Sequence, residues 1–339
     1  MRKGKKATIK DISIATGVSI STVSRVLNGI DPVADETKIA VMKAANSLGY
    51  IKSSKSLIRE KGKPGLIYLI MKYSKRNSYE KLVQESITAV AAENNMRTIS
   101  VSQELDRIGL QNYQPNLILH IEEAKSLGVN GIILASFVDE LMTESIMNLL
   151  TSCQIPIVFI NRSASVYSFN CVYSDGKVGS FFAAQHLIQN KRKTLLFVAR
   201  NRHVRREAGV DEAIKASGNA DVRKINLYLD DELSIDEELQ QLADVFRKNP
   251  SIDGVQCTAD ELAAIVIRFL SSVGKRIPDD VEVIGYNDNL APILNPPIPS
   301  VKVPVEEMAR TAIDMIIGNS DPSNSNTRTV VFEPKLVLR

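Results

Sequence analysis

The period of apolar and polar positions changes near residue 64. Before it, residues 8 to 49 read as three short helices. Thr8 and Asp11 have capping-box spacing, Ile9, Ile12 and Ala15 recur on one face, and Gly17 supplies a stop. Ser19 can cap a second helix that turns Val23, Val26 and Leu27 inward and leaves Ile20, Ser21, Thr22 and Arg25 near its exposed start. A third helix carries Ile39, Met42, Ala45 and Leu48 and ends at Gly49. Beyond residue 64, strand-like runs at 66–71, 131–135, 157–160, 194–198, 254–257 and 281–285 alternate with helical ones at 79–94, 141–150, 178–189, 206–216, 235–248 and 262–273. This alternation predicts an α/β body of doubly wound parallel sheets. Its length of about 275 residues exceeds one ordinary domain, so two sheets with a cleft between them are expected.

Two helices across a glycine-containing turn, braced by a third, form a helix-turn-helix whose second helix enters the major groove by its N-terminal end. Ile20 and Ser21 then face base edges. Arg25, one turn on, reaches a guanine O6/N7 pair, a contact that contributes about 1–3 kcal/mol of discrimination. Thr8, Thr22, Ser24 and Asn28 are short polar groups suited to phosphate oxygens. Arg2, Lys3, Lys5 and Lys6 make a basic arm that adds a salt-sensitive contribution. Spacing alone also fits an ordinary three-helix bundle with a charged face. Charge sharpens the picture: residues 1 to 63 hold 13 Lys/Arg against 5 Asp/Glu, the remainder 29 against 34, a split that the whole-chain value of +3 conceals. A basic module preceding a mildly acidic body points to a polyanion-binding end.

The residues themselves go further. The run Thr8-Ile-Lys-Asp-Ile-Ser-Ile-Ala-Thr-Gly-Val-Ser-Ile-Ser-Thr-Val-Ser-Arg-Val-Leu-Asn-Gly29 and its continuation from Val33 to Tyr50 closely resemble the headpiece of the LacI/GalR family of bacterial repressors. The resemblance implies a DNA-binding headpiece over 1–50, with Ile20, Ser21 and Arg25 at base-reading positions, and a hinge over 51–63. It also implies a periplasmic-binding-protein-like core over 64–339, with an N-lobe of about 64–161 and 290–320 and a C-lobe of about 162–288 and 321–339. The chain would cross between lobes near 161–163, 287–291 and 319–323. The hinge departs from the family pattern. Pro-Asn is absent after Tyr50, and Leu57 and Ile58 are the apolar residues that could wedge into the minor groove; a flexible polar linker is the alternative.

Polar residues follow several predicted strands, where ligands of open α/β sheets sit. Asn161 and Arg162 follow 157–160, Arg206 follows 194–198, Asp260 follows 254–257, and Asn287 and Asp288 follow 281–285. Such groups suit a polyhydroxylated ligand, though each alone also fits a loop or a helix cap, Asp260 most plainly. By resemblance, Arg206 and Gly209 match the family's Arg-x-x-Gly effector motif, and Asp260 the acid of its Asn-Asp pair, with Ala259 replacing the Asn. Asn287 stands at the first acid of Phe-Asp-Asp, and Asn161 at an Asp/Asn position. Tyr173 stands where some members place an aromatic ring, with strand packing as the alternative. The runs Ile284 to Pro292 and Pro296 to Val303 resemble the branch controlling galactose and β-galactoside genes. The implied protein is a cytoplasmic homodimer that binds palindromic double-stranded operator DNA and answers to a small effector such as a sugar, released by it or using it as corepressor, unless the pocket is vestigial. After Thr329 to Leu338 no heptad tail for a tetramer follows.

Other classes fit less well. Cys153, Cys171 and Cys257 are too few and too scattered for a disulfide framework or a Cys-x-x-Cys site. No apolar run reaches the roughly 18–20 residues that span a bilayer, so no membrane partner is expected. Glycine-rich phosphate loops are missing after the first core strand, and His120, His186 and His203 lack metal spacing, which argues against an enzyme and against any cofactor.

Overall fold

The computed structural model describes residues 8–27, 33–48, 64–73, 78–135, 143–161, 169–200, 203–318 and 327–339. The chain divides into two compact units, 1–64 with 320–324, and 65–319 with 325–339.

In the first unit, α1 (Ile9–Thr16), α2 (Ile20–Leu27) and α3 (Asp35–Ser47) enclose a small core of Ile12, Val23, Val41 and Ala45. The capping box forms as the spacing predicts: the Asp11 amide donates to Thr8 Oγ1 at 3.3 Å, and the Thr8 amide donates to Asp11 Oδ2 at 2.7 Å. Gly17 ends α1 with φ 69°, the left-handed conformation a glycine adopts without strain. Ser13 donates to the Val18 carbonyl at 2.6 Å and ties down the turn. The inner face of α3 differs from the expected one. Ala45 turns inward as expected and Val41 and Ala44 join it, whereas Ile39, Met42 and Leu48 are 57%, 48% and 42% exposed, and Ala15 of α1 is exposed too. Small alanines let α3 approach α1 and α2 closely, so bulk alone does not select the buried row.

The second unit contains two six-stranded sheets. The first runs β11 (Thr329–Phe332), β5 (Asn170–Ser174), β4 (Ile157–Ile160), β3 (Gly131–Ala135), β1 (Gly65–Tyr73) and β2 (Met96–Glu104), with every pairing parallel. The second runs β12 (Lys335–Val337), β10 (Ser300–Lys302), β9 (Glu282–Asn287), β8 (Gly254–Cys257), β6 (Thr194–Arg200) and β7 (Arg223–Leu229), parallel except for β12 against β10. Strands β3, β4, β8 and β9 are buried throughout, the condition in which a parallel strand reads as a continuous apolar run. Helices α4 (Ser78–Glu93), α5 (Leu105–Leu127), α6 (Glu144–Ser152) and α11 (Val305–Gly318) accompany the first sheet. Helices α7 (Gly176–Gln189), α8 (Val204–Ser217), α9 (Ile235–Lys248) and α10 (Asp260–Ser272) accompany the second.

The two-lobed α/β architecture is the expected one, but the crossings lie elsewhere. The chain passes between lobes after β5, after β10 and after β11, at about 174–176, 302–305 and 332–335, not at 161–163, 287–291 and 319–323. The N-lobe therefore runs past 161 through Ser174, and the C-lobe past 288 through Lys302. At each expected crossing the chain instead adds one short strand to the same sheet before it leaves.

Candidate functional site: a nucleic-acid face and an interlobe cleft

In the first unit, α2 carries the candidate DNA-reading residues. Ser19 caps it: the Thr22 amide donates to Ser19 Oγ at 3.1 Å, and the Ser21 and Thr22 hydroxyls lie 2.9 and 2.8 Å from the same oxygen. Val23 points into the core, which fixes the rotation of the helix and leaves Ile20, Ser21 and Arg25 exposed, with Ser21 and Arg25 one turn apart on one face. Thr22 and Ser24 are half-buried along its flanks. Thr8 is exposed, yet its hydroxyl donates to Asp11 Oδ2 at 2.6 Å, so it first orders the start of α1. Asn28, Leu57, Ile58 and the basic arm lie outside the described residues.

In the second unit, the cleft is built around Arg206. Helix α8 crosses α7 almost backbone to backbone: a Cβ at Gly209 would lie 2.1 Å from the Lys177 carbonyl oxygen. Only glycine permits this approach, and one turn earlier it lays Arg206 over the Tyr286 ring, guanidinium carbon 3.8 Å from the centroid. Arg206 Nη1 also donates to the Thr258 carbonyl. Tyr286 is fully buried, its hydroxyl at the glycine face of α7, where a Cβ on Gly179 would stand 2.6 Å away. Burial raises the pKa of Tyr286 and of Tyr79, and the Arg206 charge opposes the rise in both. Tyr79 Oη donates to Asn161 Oδ1 at 2.6 Å. Asn161 and Asn287 both take positive φ, 66° and 96°, which asparagine tolerates better than most residues. Asn161 Nδ2 and Asn287 Oδ1 are buried with no hydrogen-bond partner among the described residues.

Asp260 plays a different part from the one expected. Its side chain is wholly buried, Oδ1 accepts from Ser300 Oγ at 2.7 Å, and Oδ2 accepts from the amides of Asn289, Leu290 and Ala291 at 2.9, 2.9 and 3.0 Å. Both oxygens accept hydrogen bonds from within the C-lobe. Asp260 is not the cap of its own helix, since Ala259 occupies that position. It organises the loop after β9 that presents Asn287 and Asn289. Burial raises its pKa against the opposing hydrogen bonds from Ser300 and the three amides. Arg339 holds the same loop, pairing with Asp288 at 2.5 Å and donating to the Ile298 carbonyl at 3.1 Å. Tyr173 is half-buried on β5, on the same strand face as Cys171, which belongs to the apolar cluster beneath α5 and α6.

Five cleft residues escaped the motif reading: Ser78, Tyr79, Glu261, Tyr286 and Asn289. Ser78 opens α4 in the N-lobe, and its amide donates to Glu261 Oε1 of the C-lobe at 2.7 Å. Its hydroxyl donates to the same oxygen and accepts from Asn289 Nδ2. The signal available was position alone: Ser78 and Tyr79 come soon after β1, and Tyr286 and Glu261 adjoin Asn287 and Asp260. Among the described residues, no group of three or more His, Cys, Asp or Glu is placed to hold a metal ion.

Residues 8–53 match the bacterial regulatory proteins of the lacI family, and residues 184–339 match the periplasmic binding protein-like domain. The chain is 28% identical to the ribose operon repressor of Bacillus subtilis, over 92% of this chain and 91% of the relative. It is 24% identical to the transcriptional regulator GalR of Escherichia coli, over 98% and 95%. A crystal structure of the lac repressor dimer bound to operator and an anti-inducer superposes with a TM-score of 0.67 at 19% identity, covering 99% and 98% of the two chains. A helix-turn-helix unit followed by a two-lobed ligand-binding fold defines a DNA-binding transcriptional regulator. The chain belongs to the LacI family.

Proposed function

We propose that the protein is a cytoplasmic repressor of a sugar-utilisation operon. It binds a palindromic operator as a homodimer and is released by a small sugar held between its lobes. The observation that carries the effector reading is that a buried donor, Asn161 Nδ2, and a buried acceptor, Asn287 Oδ1, both lack a hydrogen-bond partner among the described residues around the cleft organised by Arg206. Unpaired buried polar groups are costly, and a hydroxyl, which both donates and accepts, satisfies either kind. Two headpieces reading the two halves of a palindrome require a C2 dimer. Ile20, Ser21 and Arg25 read base edges, while Thr8, Thr22, Ser24 and Asn28 position the headpiece on phosphates. Leu57 and Ile58 wedge into the minor groove at the operator centre. Relatives named for ribose and for GalR leave the sugar open, and galactosides stand among the first to try.

Titrating sugars against operator affinity tests the effector reading. A releasing sugar supports it, a sugar that tightens operator binding makes the ligand a corepressor, and indifference to every sugar marks a vestigial pocket. Arg25→Ala tests the DNA reading: specific affinity should fall by about 1–3 kcal/mol while weak, salt-sensitive nonspecific binding survives. Equal loss of both would remove Arg25 from base recognition.

A further inference from the structure

Among the described residues, the acid positions of the cleft are either neutral or engaged. Asn161 and Asn287 are amides, position 259 is alanine, Asp260 has both oxygens occupied, and Asp288 pairs with Arg339. Glu261 is the exception. Its Oε1 is fixed across the cleft by the Ser78 amide at 2.7 Å and by the Ser78 hydroxyl, which Asn289 orients in turn. Among the described residues its Oε2 is buried with no hydrogen-bond partner, as is Asn289 Oδ1. A buried carboxylate oxygen without a donor is costlier than an unpaired neutral acceptor, and the geometry aims this one from a side chain that its neighbours already hold still.

We propose that Glu261 is the specificity-determining acid of the cleft, its Oε2 accepting a hydrogen bond from a hydroxyl of a neutral polyhydroxylated effector. The inference rests on the effector reading above and names the group that selects the ligand class. A sugar hydroxyl can donate to the carboxylate; a ligand carboxylate or phosphate cannot, and meets like charge there.

The test uses the full chain, calorimetric titration and a panel of D-ribose, D-galactose, D-glucose and cellobiose with their single-deoxy analogues, plus gluconate and glucose 6-phosphate. Glu261→Gln keeps the volume and the acceptor for Ser78 but removes the charge. It should weaken the best neutral sugar about tenfold, the difference between a charge-assisted and a neutral hydrogen bond. That penalty should vanish for one deoxy analogue, the one lacking the partner hydroxyl, an outcome that a merely structural role of Glu261 cannot produce. Glu261→Asp, which keeps the charge but withdraws it by one methylene, should also weaken binding, and the circular dichroism of both variants should match the wild type. Unchanged or tighter sugar binding by Glu261→Gln, or an equal penalty for every deoxy analogue, overturns the inference alone. Preference of the wild type for gluconate or glucose 6-phosphate overturns the neutral ligand class. A wild type that binds no member of the panel overturns the effector reading itself, and this inference with it.

Discussion

The two walls of the cleft are built differently. On the C-lobe wall, a loop is held by a buried carboxylate, a serine hydroxyl and a terminal arginine. Asp260 gathers three consecutive amides and Ser300, and Arg339 grips Asp288. Arg206 is locked there too, by the α7–α8 contact at Gly209 and by the Tyr286 ring. On the N-lobe wall, Tyr79 donates to Asn161, while Ser78 reaches across to the opposite lobe. The C-lobe wall is preorganised by interactions within itself, and an N-lobe hydroxyl meets it from across the cleft. Preorganised polar groups bind with less ordering cost, so the C-lobe wall is expected to carry the reading of a ligand and the N-lobe wall its closure.

The sharpest way to break this comparison is Asp260→Ala. It leaves three amides and a buried hydroxyl without their acceptor, and at about 1–3 kcal/mol for each unpaired buried group, partly relieved by water, the loss should reach about 3–5 kcal/mol. Urea denaturation measures it, and hydrogen exchange should localise it to 289–291. A loss below about 1 kcal/mol would mean that the loop holds itself. Gly209→Ala comes next. The new Cβ meets the Lys177 carbonyl at 2.1 Å, backbone that cannot swing aside, so α7 and α8 must part. Overpacking of this kind costs about 1–3 kcal/mol. It should also lower sugar affinity, because Arg206 moves with α8; destabilisation without a change in affinity would separate the helix contact from the pocket.

Much of this was legible in the sequence, and the failures share a cause. The headpiece is local: its capping box, glycine stop and serine cap act within three or four residues, so spacing revealed all three helices. The row of α3 that faces inward depends on how closely a neighbour approaches, so Ala45 was found but Val41 was passed over for Ile39 and Met42. In the body, buried central strands stood out as apolar runs, whereas the short strands β5, β10 and β11 are three to five residues long and partly exposed, which displaced all three crossings. Arg206 and Gly209 were found because they match the Arg-x-x-Gly motif of the family the sequence resembles. The partners that give them meaning, Tyr286 and Lys177, are fixed by tertiary contact, as is the distinction between Asp260, occupied by its own loop, and Glu261 beside it.

The smallest expected effect bears on the N-lobe wall. Tyr79→Phe removes the hydroxyl that donates to Asn161 Oδ1 at 2.6 Å, while leaving the ring in place. One hydrogen bond of this kind contributes about 0.5–1.5 kcal/mol, so the melting temperature should drop by only a few degrees and operator binding without effector should be unchanged. Asn161, held in a left-handed conformation but now without its orienting donor, can turn its amide, and sugar affinity should fall a few-fold. If instead the variant is as destabilised as Asp260→Ala, the N-lobe wall is as rigidly organised as its counterpart, and closure has to be assigned to some other movement than that of α4 and Asn161 toward a fixed C-lobe surface.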